Sequence, residues 1–538
     1  MAFGRFRKLF RREPTRQELY LQLTRGLNIE RDYQEWIETW ERYGPEAALP
    51  VPSLPLVIAL SGAPSPADRD YWNEFSRQVG AIQVAWIEGT ITAQRAFDIV
   101  ASAPRSGSDE YVAFLHVSDR MSSLAPLRLD AAIKTKAALV YGDEDQVDED
   151  GRRFAPWFKP DFGEDLFLCQ NGFGRPVFFR RSALQHVSMP DAADLDAFIY
   201  ALALEVAAPN GALHCPGILL HVAGDPATTP RPRVFYLPGD TRMRAAETFI
   251  ARVPSLAGAK VEKSGSFEFL RLRPPVPDPL PLASVVIPTR DRKDLLELCI
   301  KSLDERTAYR NLEIIIVDND SAEAETKTYL AALTQRPDVR IIPGPGPFNY
   351  SRLINLGISH ARGEILVMLN NDIEAFEPDW LHEMVSHAVR PDVGIVGCLL
   401  LYPDRSVQHA GVIVGLSGVA GHMYAEAAPD DPGYAGRILV TQDLSAVTGA
   451  CQVVRRKVFL RLGGFDERHL AVAYNDIDFC LRAREAGMRV IYTPHARLLH
   501  RHSASRGSDV RVERLASFAT EREYMRTRWA HILFDDPF

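Results

Sequence analysis

The stretch from Gly346 to Glu374 constrains the fold more than any other part of the sequence. Apolar residues at helical spacing over 354–361 predict an amphipathic helix, and Gly363 suits the left-handed turn that ends a helix. Residues 365–369 are all apolar, which indicates a strand covered on both faces. Three polar side chains follow where that strand leaves the sheet: Asn370, Asn371 and Asp372. A carboxylate beside amide oxygens at the carboxyl end of a strand predicts a site for a hard divalent cation that carries phosphates; a solvated polar turn is the alternative.

Two earlier apolar segments end in the same way. One short strand ends at Pro288, directly before Thr289, and a second ends directly before Asp318. Because the carboxyl ends of parallel strands meet at one edge of a sheet, the three strand ends together predict a single site. Asp291 is predicted to cap the helix after the first strand, and Asp294 suits the positive end of that helix.

The composition is that of a globular protein, and the length implies two or three domains. The chain has 538 residues, of which 46% are hydrophobic and 25% charged. A formal net charge of -8 argues against a nucleic-acid-binding surface, which is usually basic. No apolar run approaches the roughly 20 residues of a membrane span. Six scattered cysteines without paired spacing indicate neither a disulfide framework nor a zinc site. With no cleavable signal peptide in the sequence, a cytosolic protein with reduced thiols is expected.

The first twelve residues differ from the rest of the chain. Phe3, Phe6, Leu9 and Phe10 alternate with arginine and lysine, which is typical of a short amphipathic segment on an anionic membrane surface. Peripheral contact with the inner face of the plasma membrane through residues 1–12 is therefore expected, with a solvated basic tail as the alternative.

Breaker-rich segments divide the chain. Residues 1–50 are interpreted as a basic, helical N-terminal arm, and residues 51–273 as a first α/β domain. Residues 274–282 contain five prolines and form a stiff linker. Residues 283–538 then repeat the α/β alternation with clearer signals, which predicts a second domain.

The second domain resembles the family 2 glycosyltransferases, in particular bacterial enzymes of surface-polysaccharide assembly that include rhamnosyltransferase-like members. The resemblance covers residues 283–535 and is carried by a series of motifs in order: V-V-I-P-T-R-D-R from Val285, I-I-I-V-D-N-D-S from Ile314, the stretch Gly346–Glu374, Q-H-A-G-V from Gln408, G-G-F-D-E from Gly463, Y-N-D-I-D-F-C-L-R from Tyr474, and H-R-H-S-A-S-R-G from His500. It implies a GT-A fold, which is Rossmann-like with a mostly parallel sheet, and an inverting transferase that uses nucleotide-diphosphate sugars and Mg²⁺ or Mn²⁺.

The resemblance also implies roles for individual residues. The nucleotide sugar would be held by Thr289, Asp318, Asn355, Asn371 and Arg506. The metal ligands would be Asp372, Asn370 and His500, with modest affinity because the family's first aspartate is replaced by Asn370. Asp476 would be the catalytic base, with structural capping as the alternative. Asp478, two residues further on a helix and so on a different face, would bind the acceptor or complement the helix dipole, and His409 would line the acceptor side or be structural. Gly487 is predicted to end the helix that begins near Asp476.

The front half repeats the same order of features with less of the chemistry. Glu110–Asp119 parallels Glu364–Asp372, and Asp194, Asp196 and His221 parallel Asp476, Asp478 and His500. The first two strands, however, end without an acidic nucleotide cradle. Two tandem GT-A domains are therefore expected, the first degenerate.

The predicted function is transfer of a sugar to a glycan or lipid-linked acceptor in surface polysaccharide biosynthesis, with no nucleic acid involved. The alternatives are a non-catalytic carbohydrate-binding scaffold and a bifunctional transferase with two active halves.

Overall fold

The structure is a computed structural model that describes residues 29–41, 50–80, 82–87, 89–102, 110–501, 512–534 and 536–538. The predicted membrane-contact segment 1–12, part of the predicted arm, and Arg506 lie outside these residues. Below, residues 50–273 are called the front half and residues 283–538 the back half.

Helices and strands alternate through both halves, which confirms the predicted α/β class. The helices are α1 Ile29–Trp36, α2 Pro66–Val79, α3 Ala93–Ser102, α4 Ala125–Lys134, α5 Glu164–Cys169, α6 Arg181–Leu184, α7 Leu195–Asn210, α8 Gly239–Ile250, α9 Lys293–Arg306, α10 Ala324–Leu333, α11 Tyr350–Ser359, α12 Trp380–Ala388, α13 Arg456–Arg461, α14 Asn475–Glu485 and α15 Val512–Arg528. The front-half strands are β1 Leu56–Ser61, β2 Ile82–Ile87, β3 Tyr111–His116, β4 Arg120–Met121, β5 Leu139–Val147, β6 Arg153–Trp157, β7 Val177–Arg180, β8 Leu213–Ala223, β9 Lys260–Ser264 and β10 Phe269–Arg273. The back-half strands are β11 Ala283–Thr289, β12 Leu312–Asp318, β13 Val339–Pro343, β14 Ile365–Leu369, β15 Ile373–Ala375, β16 Val393–Leu401, β17 Val407–His409, β18 Val412–Val414, β19 Ala420–His422, β20 Gln442–Asp443, β21 Cys451–Arg455 and β22 Arg489–His500.

The main sheets of the two halves have the same order of strands. The back sheet runs β13-β12-β11-β14-β21-β16-β22-β15, and the front sheet runs β2-β1-β3-β7-β5-β8-β4. If β2, β1 and β3 are matched to β12, β11 and β14, each following pair of neighbours also agrees in its parallel or antiparallel sense. Both sheets are mixed. The parallel part of the back sheet includes β11, β12 and β14, the strands that carry the predicted nucleotide-binding ends. The internal repetition seen in the sequence is thus present in the strand pairing.

Helix α11 packs directly on the strands that lead to the predicted site. A Cβ at Gly357 would come within 2.4 Å of Val286 Cγ1 on β11, so glycine allows the helix to lie close to the sheet. Gly363, which was predicted to end this helix in a left-handed turn, does not do so. The helix ends at Ser359, and a Cβ at Gly363 would meet the Leu282 carbonyl oxygen at 2.5 Å.

The predicted cap of α9 is also wrong. Arg292, in a left-handed conformation, precedes the helix and makes no side-chain cap. The Asp291 carboxylate instead accepts hydrogen bonds from the backbone N–H groups of Ala322 and Glu323, at 2.7 and 2.8 Å. Asp291 therefore joins the loops after β11 and β12 and does not start its own helix.

Buried ion pairs connect the two halves. Asp165 of the front half accepts from Arg390 at 2.7 Å and also contacts Arg489, which itself binds Asp443 at 2.5 Å. Asp165 and Arg390 are at most 3% exposed, and one apolar core cluster contains residues of both halves. The halves therefore share a continuous interior with charges inside it.

The described part of the arm lies on the front half. Tyr33 and Trp36 pack with Ile218, and the Tyr33 hydroxyl donates to Asp145. Among the described residues, no helix combines the length and apolar content needed to cross a bilayer. All six cysteines are buried free thiols.

Candidate active site

The three polar strand ends predicted from the sequence meet at one edge of the back sheet. Thr289 and Asp318 are paired in register at the ends of β11 and β12. The Asn371 amide donates to Thr289 Oγ1 at 3.1 Å, and both side chains are buried. Thr289, Asp318 and Asn371 therefore form one surface, because the parallel strands carry them to the same end of the sheet.

Asp318 is half-buried and held by the turn that follows β12. Its Oδ1 accepts from the Ser321 backbone N–H at 3.1 Å and from Ser321 Oγ at 2.5 Å. Both contacts fall on one oxygen, so they fix the carboxylate and leave the second oxygen able to accept from a ligand hydroxyl or base N–H.

His500 lies beside Asp372, as the predicted metal site requires. His500 Nε2 is 3.2 Å from Asp372 Oδ1 and 3.5 Å from the Asn370 amide. The reason is sheet pairing: Ile373, directly after Asp372, is paired with His500 across β15 and β22. Two residues 128 positions apart in the chain are thereby brought into contact at the end of the sheet.

Gln408 sets the orientation of the His500 ring, and sequence reasoning missed this role. The Gln408 amide nitrogen donates to the His500 carbonyl at 3.3 Å, so its Oε1 faces His500 Nδ1, at 2.5 Å, as an acceptor. Nδ1 therefore carries a proton, and in a neutral ring Nε2 would present a lone pair towards Asp372. The Q-H-A-G motif contained the signal, but the contact joins residues 92 positions apart, which no local pattern reveals.

These contacts fit a divalent cation with few protein ligands. An imidazole lone pair and a carboxylate oxygen face each other at 3.2 Å, an arrangement that favours a proton or a cation between them. Rotation of the Asn370 amide would add an oxygen ligand. Among the described residues, no group of three or more His, Cys, Asp or Glu side chains is arranged to hold a metal ion, so a bound cation would take much of its coordination from elsewhere.

Asp476 lies in the first turn of α14, at the mouth of the helix, as predicted. Its Oδ2 accepts from the Gly449 N–H at 2.6 Å, and its Oδ1 accepts from its own neighbour Ile477 at 2.8 Å. The next residue, Ala450, accepts a hydrogen bond from the Asn370 N–H at 3.0 Å. The segment Gly449–Ala450 thus connects the half-buried Asp476 to the Asn370–Asp372 triplet.

Gly449 is a second residue whose importance the sequence did not reveal. A Cβ at this position would stand 3.0 Å from Asp476 Cβ. A side chain there would require Asp476 to shift by a few tenths of an ångström, so glycine favours the close approach of the backbone N–H to the carboxylate. The predicted end of α14 is confirmed, since the helix stops at Glu485 and Gly487 has a φ of 76°.

Asp478 points into the interior of the protein. It is fully buried and accepts from Arg482 at 2.7 Å and from the Trp529 indole N–H at 3.0 Å. Its place inside the first helical turn points it into the protein, where these donors compensate its charge. Of the two carboxylates, Asp476 is therefore the better candidate for the base.

His409 and Asn355 also have structural environments. His409 is fully buried, with Nδ1 2.9 Å from His422 Nδ1, and burial together with His422 and His500 holds its pKa well below the usual value. It is therefore an uncharged group beneath the surface, contrary to the predicted acceptor contact. The Asn355 amide donates to the Phe465 carbonyl at 3.0 Å and accepts from the Phe465 N–H at 2.9 Å. These two bonds occupy the amide that was predicted to bind the nucleotide.

Comparison with known proteins shows what parts of this chain are similar to. Residues 284–463 match the family model of glycosyl transferase family 2. An uncharacterised protein of Sinorhizobium fredii, y4gI, is 37% identical over 410 residues, which are 74% of this chain and 44% of that protein. The O-antigen biosynthesis protein RfbC of Myxococcus xanthus is 36% identical over 408 residues, 74% of this chain and 31% of that protein.

A shorter relative is similar to part of this chain. The N-acetylglucosaminyl-diphospho-decaprenol L-rhamnosyltransferase of Mycobacterium tuberculosis is 28% identical over 235 residues, 40% of this chain and 74% of that protein. The chain spans less than half the length of the two longer relatives.

Proposed function

We propose that this chain, which carries a family 2 glycosyltransferase domain, transfers a sugar with inversion from a nucleotide-diphosphate donor to a glycan or lipid-linked acceptor in surface polysaccharide assembly. The proposal rests on the hydrogen bonds of the segment Gly449–Ala450. This segment bonds Asp476 on one side and, on the other, the Asn370–Asp372 triplet that contains the partner of His500. The names of the matched relatives RfbC and the rhamnosyltransferase support this class of pathway.

The strand ends would hold the nucleotide. Asp318 would accept hydrogen bonds from ribose hydroxyls or a base N–H, and Thr289 with Asn371 would form the floor below it. Arg506 would donate to a phosphate. Asn355 and His409 keep structural roles in this proposal, because their polar atoms are engaged within the protein.

Asp372, His500 and Asn370 would hold Mg²⁺ or Mn²⁺, which when bound neutralises charge on the departing diphosphate. In a neutral ring the Nε2 lone pair of His500 would be available to the ion, because the Nδ1–H donates to Gln408 Oε1. With only one carboxylate and one imidazole from these residues, the diphosphate would supply much of the coordination, as is usual for magnesium.

Asp476 would take the proton from the acceptor hydroxyl. Inversion requires the base on the face of the sugar opposite the leaving group. Asp476 lies across the Gly449–Ala450 segment from the Asp372–His500 pair, and the Gly449 N–H orients its carboxylate.

The division into arm, front domain, linker and catalytic domain at residues 50, 273 and 282 is part of the proposal. So is a cytosolic location with peripheral membrane contact through residues 1–12, which would keep the enzyme close to lipid-linked acceptors.

The test is single-turnover transfer with the donor found in a screen of uridine, guanosine and deoxythymidine diphosphate sugars. Asp476→Asn is expected to slow the chemical step by about 10²- to 10⁴-fold, the usual contribution of a positioned base, while donor affinity stays nearly unchanged. Asp194→Asn in the front half and Asp404→Asn in an exposed turn serve as matched controls and are expected to transfer at close to the normal rate. Normal transfer by Asp476→Asn, or a greater loss in Asp194→Asn, would exclude Asp476 as the base.

A further inference from the structure

The front half contains a cavity where the back half has its candidate active site. The cavity is small and partly open, with a volume of about 80 Å³, and lies at the mouth of α7, the helix that corresponds to α14. Its walls are Trp157, Asn171, Gly174, Asp194, Asp196, Arg233, Tyr236, Leu237 and Pro238. These walls join apolar side chains with a few convergent polar groups, as the walls of small-molecule sites do.

Strand pairing identifies the counterpart of the proposed metal ligand. Arg120 is paired with His221 across β4 and β8, as Ile373 is paired with His500. Asp119, directly before Arg120, therefore occupies the position of Asp372. Asp119 is 1% exposed and lies 2.9 Å from the Arg175 guanidinium.

Arginines fill the place that a cation would occupy. Arg175 also approaches Asp196 Oδ1 at 3.2 Å, and Arg233 binds both Asp196 and Glu144. Despite burial, which raises it, the two arginines hold the pKa of Asp196 below its usual value. The Asp196 carboxylate is thus held in its charged form and already paired with fixed side chains, whereas burial raises the pKa of Asp119.

The charge balance disfavours a diphosphate. The cations here are already paired with carboxylates: Lys159 with Glu144, Arg175 with Asp119, and Arg233 with Asp196. A diphosphate without its own metal would therefore compete with these carboxylates for the same cations.

The walls favour a neutral ligand rich in hydroxyl groups. Tyr236 is 42% exposed at the cavity and Trp157 lies deeper, so one ring is available for the apolar face of a sugar. Within the described residues, the buried oxygen Asp119 Oδ1 takes no hydrogen bond, and buried polar atoms normally have a partner. Asn171 adds an amide that can donate and accept.

We propose that this cavity binds a sugar unit of a glycan, without a metal ion and without a nucleotide. The arginines replace the cation of the back half, and the aromatic and amide walls recognise the ring and its hydroxyls. The site is separate from the transfer reaction, so the proposal that it binds a sugar does not depend on the role of Asp476.

The experiment measures binding of methyl glycosides of hexoses, deoxyhexoses and N-acetylhexosamines to the full chain by ligand-observed NMR, with EDTA present. At least one glycoside is expected to bind, and Tyr236→Ala and Asn171→Ala are each expected to weaken it by about tenfold or more, which corresponds to about 1.4 kcal/mol. Phe97→Ala, another exposed aromatic of the front half, is the matched control, and Asp476→Asn is expected to bind normally.

Thermal unfolding of each variant establishes that the fold is intact. The proposal is overturned if no glycoside binds, if EDTA abolishes binding, or if the two cavity variants bind like the Phe97→Ala control. It is also overturned if Tyr236→Ala selectively loses binding of a nucleotide-diphosphate sugar, because that result would make the cavity a second donor site.

Discussion

Replacement of Gln408 by leucine tests whether the protein prepares His500 for a metal ion. The Gln408 amide makes two contacts with His500, at 2.5 Å to Nδ1 and 3.3 Å to the carbonyl. Leucine has a similar volume but accepts no hydrogen bond. The His500 ring would therefore lose the partner that favours a proton on Nδ1. The Nε2 lone pair would then be present only part of the time.

The magnitude follows from the kind of contact that is lost. A group that accepts a hydrogen bond from the other ring nitrogen of a metal-binding histidine typically contributes 10- to 100-fold in metal affinity, about 1.4 to 2.7 kcal/mol. The buried Nδ1–H left without an acceptor should also lower the free energy of unfolding by about 1–3 kcal/mol. Gln408→Glu keeps an acceptor at the same place and is therefore expected to retain most of the metal affinity.

The assay is a Mn²⁺ titration followed by electron paramagnetic resonance of the free ion, with and without the donor nucleotide. Gln442→Leu is the matched control, because Gln442 is also a fully buried glutamine but bonds Arg437 away from the site. Turnover at saturating Mn²⁺ should fall less than the affinity for Mn²⁺. The reasoning is refuted if Gln408→Leu binds Mn²⁺ like Gln442→Leu, or if Gln408→Glu loses as much affinity as the leucine variant.

Four further predictions address the metal, the membrane and two carboxylates at the contact between the halves. Asp372→Ala should abolish most metal-dependent nucleotide binding measured by calorimetry, since it removes the carboxylate of the triplet; unchanged binding by the folded variant would contradict the assignment. Deletion of residues 1–12 should reduce sedimentation with anionic vesicles at low salt and spare activity on a soluble acceptor; equal sedimentation would contradict it. Asp165→Asn should lower the free energy of unfolding by about 3–5 kcal/mol because Arg390 and Arg489 lose a buried partner, against at most about 0.5 kcal/mol for Asp130→Asn in a surface pair. Burial raises the pKa of neighbouring Glu164 from 4.5 to about 7. Between these pH values the folded state therefore retains a proton that the unfolded state has lost. The contribution of Glu164 to the free energy of unfolding should fall by about 3 kcal/mol between pH 4.5 and pH 7 and stay constant at higher pH. Glu164→Gln should remove that fall in denaturant titrations at several pH values, and an identical pH profile in the variant would refute the assignment.

Several local features of this chain follow from its sequence. The apolar runs that become β11, β12 and β14 are recognisable because a strand buried on both faces has no polar alternation. The start of α14 near Asp476 and its end at Gly487 follow from turn chemistry over a few residues. The predictions of a helix end at Gly363 and a helix start at Asp291 were wrong for the same reason. Each residue type suits a helix cap, but in the fold each residue contacts a neighbouring segment instead. Gly363 makes room for the Leu282 carbonyl, and Asp291 binds the loop after β12.

The roles of the site residues depended on contacts between distant segments. Asp476 and Asp478 are equivalent in a sequence motif, yet Trp529 and Arg482 bury the second and leave the first half-buried. The proton position on His500 depends on Gln408, 92 residues away. The sequence by itself determined the strands, the polar strand ends and the repeat, because periodicity and turn chemistry act over a few residues. Only the tertiary structure decided which carboxylate is buried and which arginine lies between two acids, because burial and the choice of hydrogen-bond partner are properties of the packed chain.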